Sequence, residues 1–106
     1  MTPSLKIKLL STLVKNSEIS DSLFKLCTLF LLYENLEIAK FTQEEFATLL
    51  GKSIPSVRRT LREGERYALI YRHRYAQGKN NGYSLNIAKL KEEYKYEISK
   101  TLSHSR

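Results

Sequence analysis

Residues 41–66 read FTQEEFATLLGKSIPSVRRTLREGER, and this stretch decides the fold. Thr42 stands at an N-cap with Glu45 three residues on, so each side chain can satisfy the other's backbone donor in a capping box. Phe41 before the cap and Phe46 after it form the pattern of a hydrophobic staple. A helix then runs to Leu50, with Phe46, Leu49 and Leu50 inward and Ala47 small enough for close approach. Gly51 follows, the residue that ends helices in the left-handed conformation without steric cost. Ser53 caps the next helix, and Pro55 falls in its first turn, where a missing N–H does no harm. One helix therefore ends at Gly51 and another begins two or three residues later, which is helix–turn–helix spacing.

Steps of 100° sort the second of these helices. Ile54, Val57, Leu61 and Gly64 fall on one side. Pro55, Arg59, Arg62 and Arg66 fall opposite, with Ser56 and Arg58 on the flanks. The apolar stripe anchors this helix, and its outer face is cationic.

Outward from that core the pattern continues. Upstream, Leu5, Leu9, Leu10, Leu13 and Val14 recur at helical spacing, predicting a helix over about 4–15. After the polar break Asn16 to Ser20, Asp21 is expected to cap a helix whose apolar residues Leu23, Phe24, Leu26, Cys27, Leu29, Phe30, Leu31 and Leu32 cover most of its circumference. Such a helix belongs at the centre of a core. Downstream, the period changes to two. Leu69, Tyr71, His73 and Tyr75 alternate with Ile70, Arg72, Arg74 and Ala76. Turn formers fill 77–82, and Tyr83, Leu85 and Ile87 lie on a returning strand. That hairpin places Tyr71, His73 and Tyr75 on one face and Arg72 and Arg74 on the other. A last helix over about 88–102 carries Leu90, Tyr94, Ile98 and Leu102 every four residues. This seam either docks on its own domain or meets a second copy. The same two readings hold for Leu5 and Leu9 of the first helix, making these six residues the candidate dimer contacts. The tail from Ser103 to Arg106 is expected to fray.

The expected fold is mainly α with a small β-hairpin. It is one winged helix-turn-helix domain over 1–106, with the helix–turn–helix at about 42–66, the wing at about 69–88 and extra helices at both ends.

Charge points to the partner. The 106 residues carry 18 Lys and Arg against 11 Asp and Glu, a formal net charge of +7. Residues 1–51 carry a net −1, residues 52–82 a net +6, and residues 83–106 a net +2. A run this one-sided, with six arginines, suits a polyanion such as nucleic acid or an anionic membrane surface. Solvated faces normally mix signs.

Composition removes other classes. Apolar residues are 42%, as in a globular protein rather than a disordered one. One cysteine, Cys27, makes no internal disulfide or cysteine metal cluster and reads as inert packing. His73 and His104 lie too far apart for a zinc pair, so no metal or cofactor is expected. His73 reads as a surface or strand-pairing residue. The longest apolar run, Leu23 to Tyr33, is interrupted by Lys25 and Thr28 and falls short of the roughly 20 residues of a membrane span. The start does not read as a signal peptide, so a cytoplasmic location is expected. No nucleophile triad, paired buried carboxylates or phosphate-binding glycine loop can be assembled, which argues against an enzyme. Glu44–Glu45 and Glu92–Glu93 read as capping or solvated charge.

The order also resembles a known family. Phe41 to Ala47, Leu49 to Ser53, Val57 to Glu63 and Ala68 to Ile70 follow, without a gap, the run of the C-terminal DNA-binding domain of Crp/Fnr-type bacterial regulators. Plasmid and phage replication-protein winged helices are similar. The likeness covers Ser22 to about Ile87, about 60% of the chain. It implies a duplex-DNA reader with its recognition helix, 53–66, in the major groove and its wing, 71–87, on the adjacent minor groove or backbone. Ser56 and Arg59 then face base edges. Arg58, Arg62 and Lys52 reach phosphates. Thr42, Gln43 and Ser53 contact the backbone, assisted by Arg72, Arg74 and Lys79 of the wing. Two departures stand out: Ile54 and Pro55 occupy positions where the family reads bases, and Gly64 and Ala68 stand where it has Leu and often Gly. About 40 residues precede Thr42, so the family's sensor domain and a small-molecule effector are not expected.

The resulting expectation is a sequence-specific double-stranded DNA-binding protein, a transcriptional regulator or repressor, with a homodimer as one of the two readings of its terminal helices. A plasmid or phage replication or partition protein is the alternative. A protein-interaction adaptor would show an apolar or acidic recognition face instead of arginines. RNA or single-strand binding would use Tyr71, Tyr75 and Tyr83 as a stacking surface.

Overall fold

The structure, a computed structural model, describes residues 2–33, 42–73 and 82–104, with side chains described as far as Ile98. Five helices and one hairpin follow in the order α1 (Pro3–Lys15), α2 (Asp21–Leu32), α3 (Gln43–Leu50), α4 (Ile54–Arg66), β1 (Ile70–His73), β2 (Gly82–Leu85) and α5 (Ile87–His104). This is the winged-helix architecture the sequence predicts.

Helix ends follow local chemistry. The Thr42–Glu45 capping box is present in both directions. Ser53 accepts the Ser56 N–H at 3.3 Å. Ser20, not Asp21, caps α2. Its Oγ accepts the Leu23 N–H at 3.1 Å, while Asp21 sits in the first turn, where a carboxylate favours the helix dipole. The staple residue Phe41 lies outside the described residues. Helices α3 and α4 end in the same double hydrogen bond. Lys52 N–H reaches Ala47 O at 2.9 Å and Gly51 N–H reaches Thr48 O at 3.3 Å. Leu69 N–H reaches Gly64 O at 2.9 Å and Ala68 N–H reaches Glu65 O at 3.0 Å. Both are Schellman motifs. The left-handed position is Gly51 in the first, at φ 65°, and Ala68 in the second, at φ 56°.

The core is assembled around α2. Leu23, Leu26, Cys27, Leu29, Phe30 and Leu31 are buried there with Leu9 and Leu13 of α1, Phe46 of α3, Val57 and Leu61 of α4, and Leu90 of α5. Phe46 packs on Phe30 at 5.7 Å and edge-on to Tyr83 at 6.0 Å between ring centroids. Leu32 and Leu49 are exceptions to the expected burial, at 70% and 44% exposed.

Within the described residues the hairpin pairs Ile70–His73 with Gly82–Leu85, the expected strand residues Arg74, Tyr75 and Ala76 lying outside them, and Ile87 starts α5 rather than ending a strand. Its antiparallel register pairs Ile70 with Leu85, Tyr71 with Ser84, Arg72 with Tyr83 and His73 with Gly82. Ile70, Arg72, Tyr83 and Leu85 therefore share the face turned to the helices. Tyr71 is on the other face, half exposed, with His73 Nε2 2.7 Å from Ser84 Oγ. Arg72 stays exposed and turns along the surface to Glu65 of α4, while Ile70 packs against the space left by Gly64 in α4.

The terminal helices pack on each other. Lys8 Nζ lies 5.7 Å above the Tyr94 ring, and Lys15 approaches Glu97 at 4.0 Å. Of the six dimer candidates, Leu9 and Leu90 are fully buried in the chain's own core. Leu5 packs partly against it, Tyr94 is half-buried, and Ile98 is exposed. The Leu102 side chain lies outside the described side chains. Helix α5 continues to His104, past the point where fraying was expected.

Candidate nucleic-acid interface

Helix α4 is held on three sides. Val57, Thr60, Leu61 and Gly64 are buried beneath it. Thr60 satisfies its hydroxyl by donating to Ser56 O at 2.9 Å, so a polar residue costs little there. Toward α2, the Glu63 carboxylate accepts the Ser20 N–H at 3.0 Å and the Ser20 hydroxyl at 2.6 Å. Toward α3, Arg58 Nε donates to Gln43 Oε1 at 2.7 Å. Toward the hairpin, Arg72 makes a two-pronged contact with Glu65, Nε to Oε1 at 2.6 Å and Nη2 to Oε2 at 3.1 Å. Such paired, charge-assisted bonds fix geometry as well as attraction.

These ties divide the arginines. Arg58 and Arg72 have intramolecular partners. Arg59 and Arg62 are exposed and have no hydrogen-bond or ion-pair partner among the described residues. They project from the outer stripe of α4 with Arg66, whose guanidinium lies 5.3 Å over the Tyr67 ring. Beside this stripe an open recess of about 590 Å³ is lined by Ser20, Ser22, Ser56, Arg59, Thr60, Arg62, Glu63 and Arg66.

The expected contact residues are placed as follows. Ser56, Arg59 and Arg62 come together at the recess. Lys52 and Ser53 are exposed in the turn before α4. The Thr42 hydroxyl accepts the Glu45 N–H at 3.1 Å, and the Gln43 amide oxygen is engaged by Arg58, so part of their hydrogen-bonding capacity is internal. Arg72 turns back to Glu65. Arg74, Lys79 and Tyr75 lie outside the described residues. Arg66, Ser22 and Glu63 were not among the expected contacts. The helical wheel already placed Arg66 on the outer stripe, but no local pattern could connect Ser22 to it.

The single cysteine lies in the interior below this face. Burial, with Glu63's charge adding to it, pushes the Cys27 thiol up from 9.0 to about 12. It stays neutral and is a packing group. Among the described residues, no helix is long and apolar enough to cross a membrane.

No family model matches the chain, and no curated protein matches it. Solved structures share its fold. One is a Staphylococcus aureus MepR–DNA complex, at 25% identity and TM-score 0.58, covering 97% of this chain and 75% of that one. Another is MepR, a transcription regulator of the S. aureus multidrug efflux pump MepA, at 24% identity and TM-score 0.59, covering 97% and 76%. A third is RV1404 from Mycobacterium tuberculosis, at 15% identity and TM-score 0.56, covering 97% and 72%. The comparisons support the winged-helix part of the sequence resemblance and not its Crp/Fnr part.

Proposed function

We propose that the chain is a sequence-specific, double-stranded DNA-binding protein acting as a transcriptional regulator, with α4 in the major groove and the hairpin against the adjacent minor groove or backbone. One observation carries this reading. Beside α4 and on it, Arg58 and Arg72 have partners within the chain, whereas Arg59 and Arg62 are exposed and have no hydrogen-bond or ion-pair partner among the described residues. Unpaired guanidiniums on an exposed helix face suit guanine edges and phosphates. The fold shared with MepR, solved in complex with DNA and titled a transcription regulator, agrees with it.

Ser56 and Arg59 are assigned to base edges, and Arg62 and Lys52 to phosphates. Ile54 and Pro55 offer no side-chain hydrogen bonds, so specificity rests on these few groups and on DNA shape. A homodimer on a two-fold site belongs to the proposal. With Leu9 and Leu90 consumed by the core, Ile7, Val14, Tyr96 and Ile98 are exposed apolar groups of the terminal helices, among the described side chains, that could serve it. The cytoplasm is the proposed location. Tyr83 is in the core, which leaves Tyr71 alone among the described residues of the expected single-strand stacking set and weakens that alternative. An adaptor is disfavoured by the arginine stripe.

Binding-site selection from random duplexes tests the reading and reports half-site symmetry at once. Arg59→Ala with Arg62→Ala should abolish duplex retention while the helical circular dichroism stays intact. Unchanged retention would refute it. Promoter against origin occupancy in sequenced protein-bound DNA separates regulation from a replication role.

A further inference from the structure

The recess beside α4 has a wall that DNA reading by α4 alone does not need. Ser20, the cap of α2, and Ser22 in its first turn lie 37 to 46 residues away in sequence and meet Arg59, Arg62 and Arg66 across a space of about 590 Å³. Arg59, Arg62 and Arg66 are spaced i, i+3 and i+7, so all three guanidiniums line one side over about 10 Å of helix. Among the described residues the one carboxylate lining the recess, Glu63, has both oxygens turned to Ser20, at 3.0 and 2.6 Å. It therefore holds the wall in place, and three guanidiniums outnumber its single negative charge.

Resting on the DNA-binding reading, we propose that this recess seats a backbone phosphodiester of the strand bordering the groove that α4 enters, with Arg66 and Arg62 as the cations and the Ser22 hydroxyl as donor. The chemistry fits. A phosphodiester needs charge-assisted donors from more than one direction, and here two helices supply them at an open surface. Phosphate contacts fix register and carry no sequence information, so this seat positions α4 while Ser56 and Arg59 read bases. The contact uses α2, an element outside the helix–turn–helix and the wing. It also gives Glu63 a positioning role: by tying Ser20 it sets the distance between the two walls.

The test uses the whole protein and a duplex carrying a site obtained by selection, beside a random-sequence duplex of the same length. Arg66→Ala should weaken both duplexes by the same factor, about eightfold at 0.1 M salt, and flatten the slope of log affinity against log salt by about 0.9. Ser22→Ala should weaken both without changing the slope. Single neutral methylphosphonates are then placed along the flanking backbone. One position should weaken the wild type more than the Arg66→Ala variant, which keeps only Arg62 and Ser22 at that phosphate. Equal affinity and slope for Arg66→Ala and wild type would overturn the phosphate seat while leaving DNA binding standing. So would loss confined to the selected site, which would make Arg66 a base reader. A wild type with no salt-dependent duplex binding would overturn the functional reading itself. Arg66 is exposed, and the circular dichroism of each variant separates a binding loss from a folding loss.

Discussion

Adding one methyl group to α4 tests how the recognition helix and the wing are joined. Gly64 is buried in α4, and a Cβ built there meets Ile70 Cδ1 at 2.7 Å, Cγ1 at 2.9 Å and Cβ at 3.1 Å. Two terms oppose each other in Gly64→Ala. Helix propensity favours Ala by about 0.8–1 kcal/mol. Overpacking a filled core costs about 1–3 kcal/mol. Ile70 cannot retreat freely, because it is 2% exposed and opens β1 with Leu85 as its partner. The clash wins, and a net loss of about 1 kcal/mol is expected, a fall of about 4–8 °C in Tm for a domain of this size. The decisive measurement is a double-mutant cycle by urea denaturation. Ile70→Ala removes the two nearest atoms and leaves only the contact at 3.1 Å, which a shift of a few tenths of an ångström relieves. In that background Gly64→Ala should be neutral or stabilising by up to about 1 kcal/mol, a coupling of about 1–2 kcal/mol. A stabilised Gly64→Ala in the otherwise unchanged protein, or the same cost in both backgrounds, would refute the notch.

Three further outcomes are expected. Ala68→Gly should raise stability by about 1 kcal/mol in thermal denaturation, since Ala68 holds at φ 56° the Schellman position that Gly51 fills in α3, and a Cβ there costs about 1–2 kcal/mol; no gain would mean that the turn is unstrained. Glu65→Gln releases Arg72 from its two-pronged contact and should cost under about 1 kcal/mol of stability while steepening the salt slope of duplex binding by up to about 0.9; an unchanged slope would place Arg72 away from the backbone. The Cys27 thiol, pushed up from 9.0 to about 12 by burial, ionises in the unfolded chain first, so stability should fall by about 1.4 kcal/mol per pH unit above pH 9 until the folded thiol titrates; Cys27→Ala should remove this part of the alkaline loss, and identical alkaline limbs would count against it.

Much of the fold was legible because its signals are short. The Thr42–Glu45 box, Gly51, the Ser53 cap and Pro55 each act over no more than about five residues, and the spacing of Val57, Leu61 and Gly64 alone orients α4. The hairpin was less legible. Alternation marks a strand but does not say which face meets the core, and here the core took Ile70 and Tyr83 rather than Tyr71. The four-residue seam of α5 likewise could not distinguish docking from self-association, because an apolar stripe looks the same against either partner. Leu90 is fully buried in the chain's own core, where α5 packs on α1.

The sequence by itself determined the element order, the helix ends and the cationic outer face of α4, since caps, turns and periodicity are local backbone chemistry. Only the tertiary structure decided which guanidiniums face solvent. Arg72 meets a partner 7 residues away, Arg58 one 15 away, and Glu63 reaches back 43 residues to Ser20. Pairings across those separations exist only once α2, α3, α4 and the hairpin have packed, so a charge count could locate the cations but not say which of them remain free.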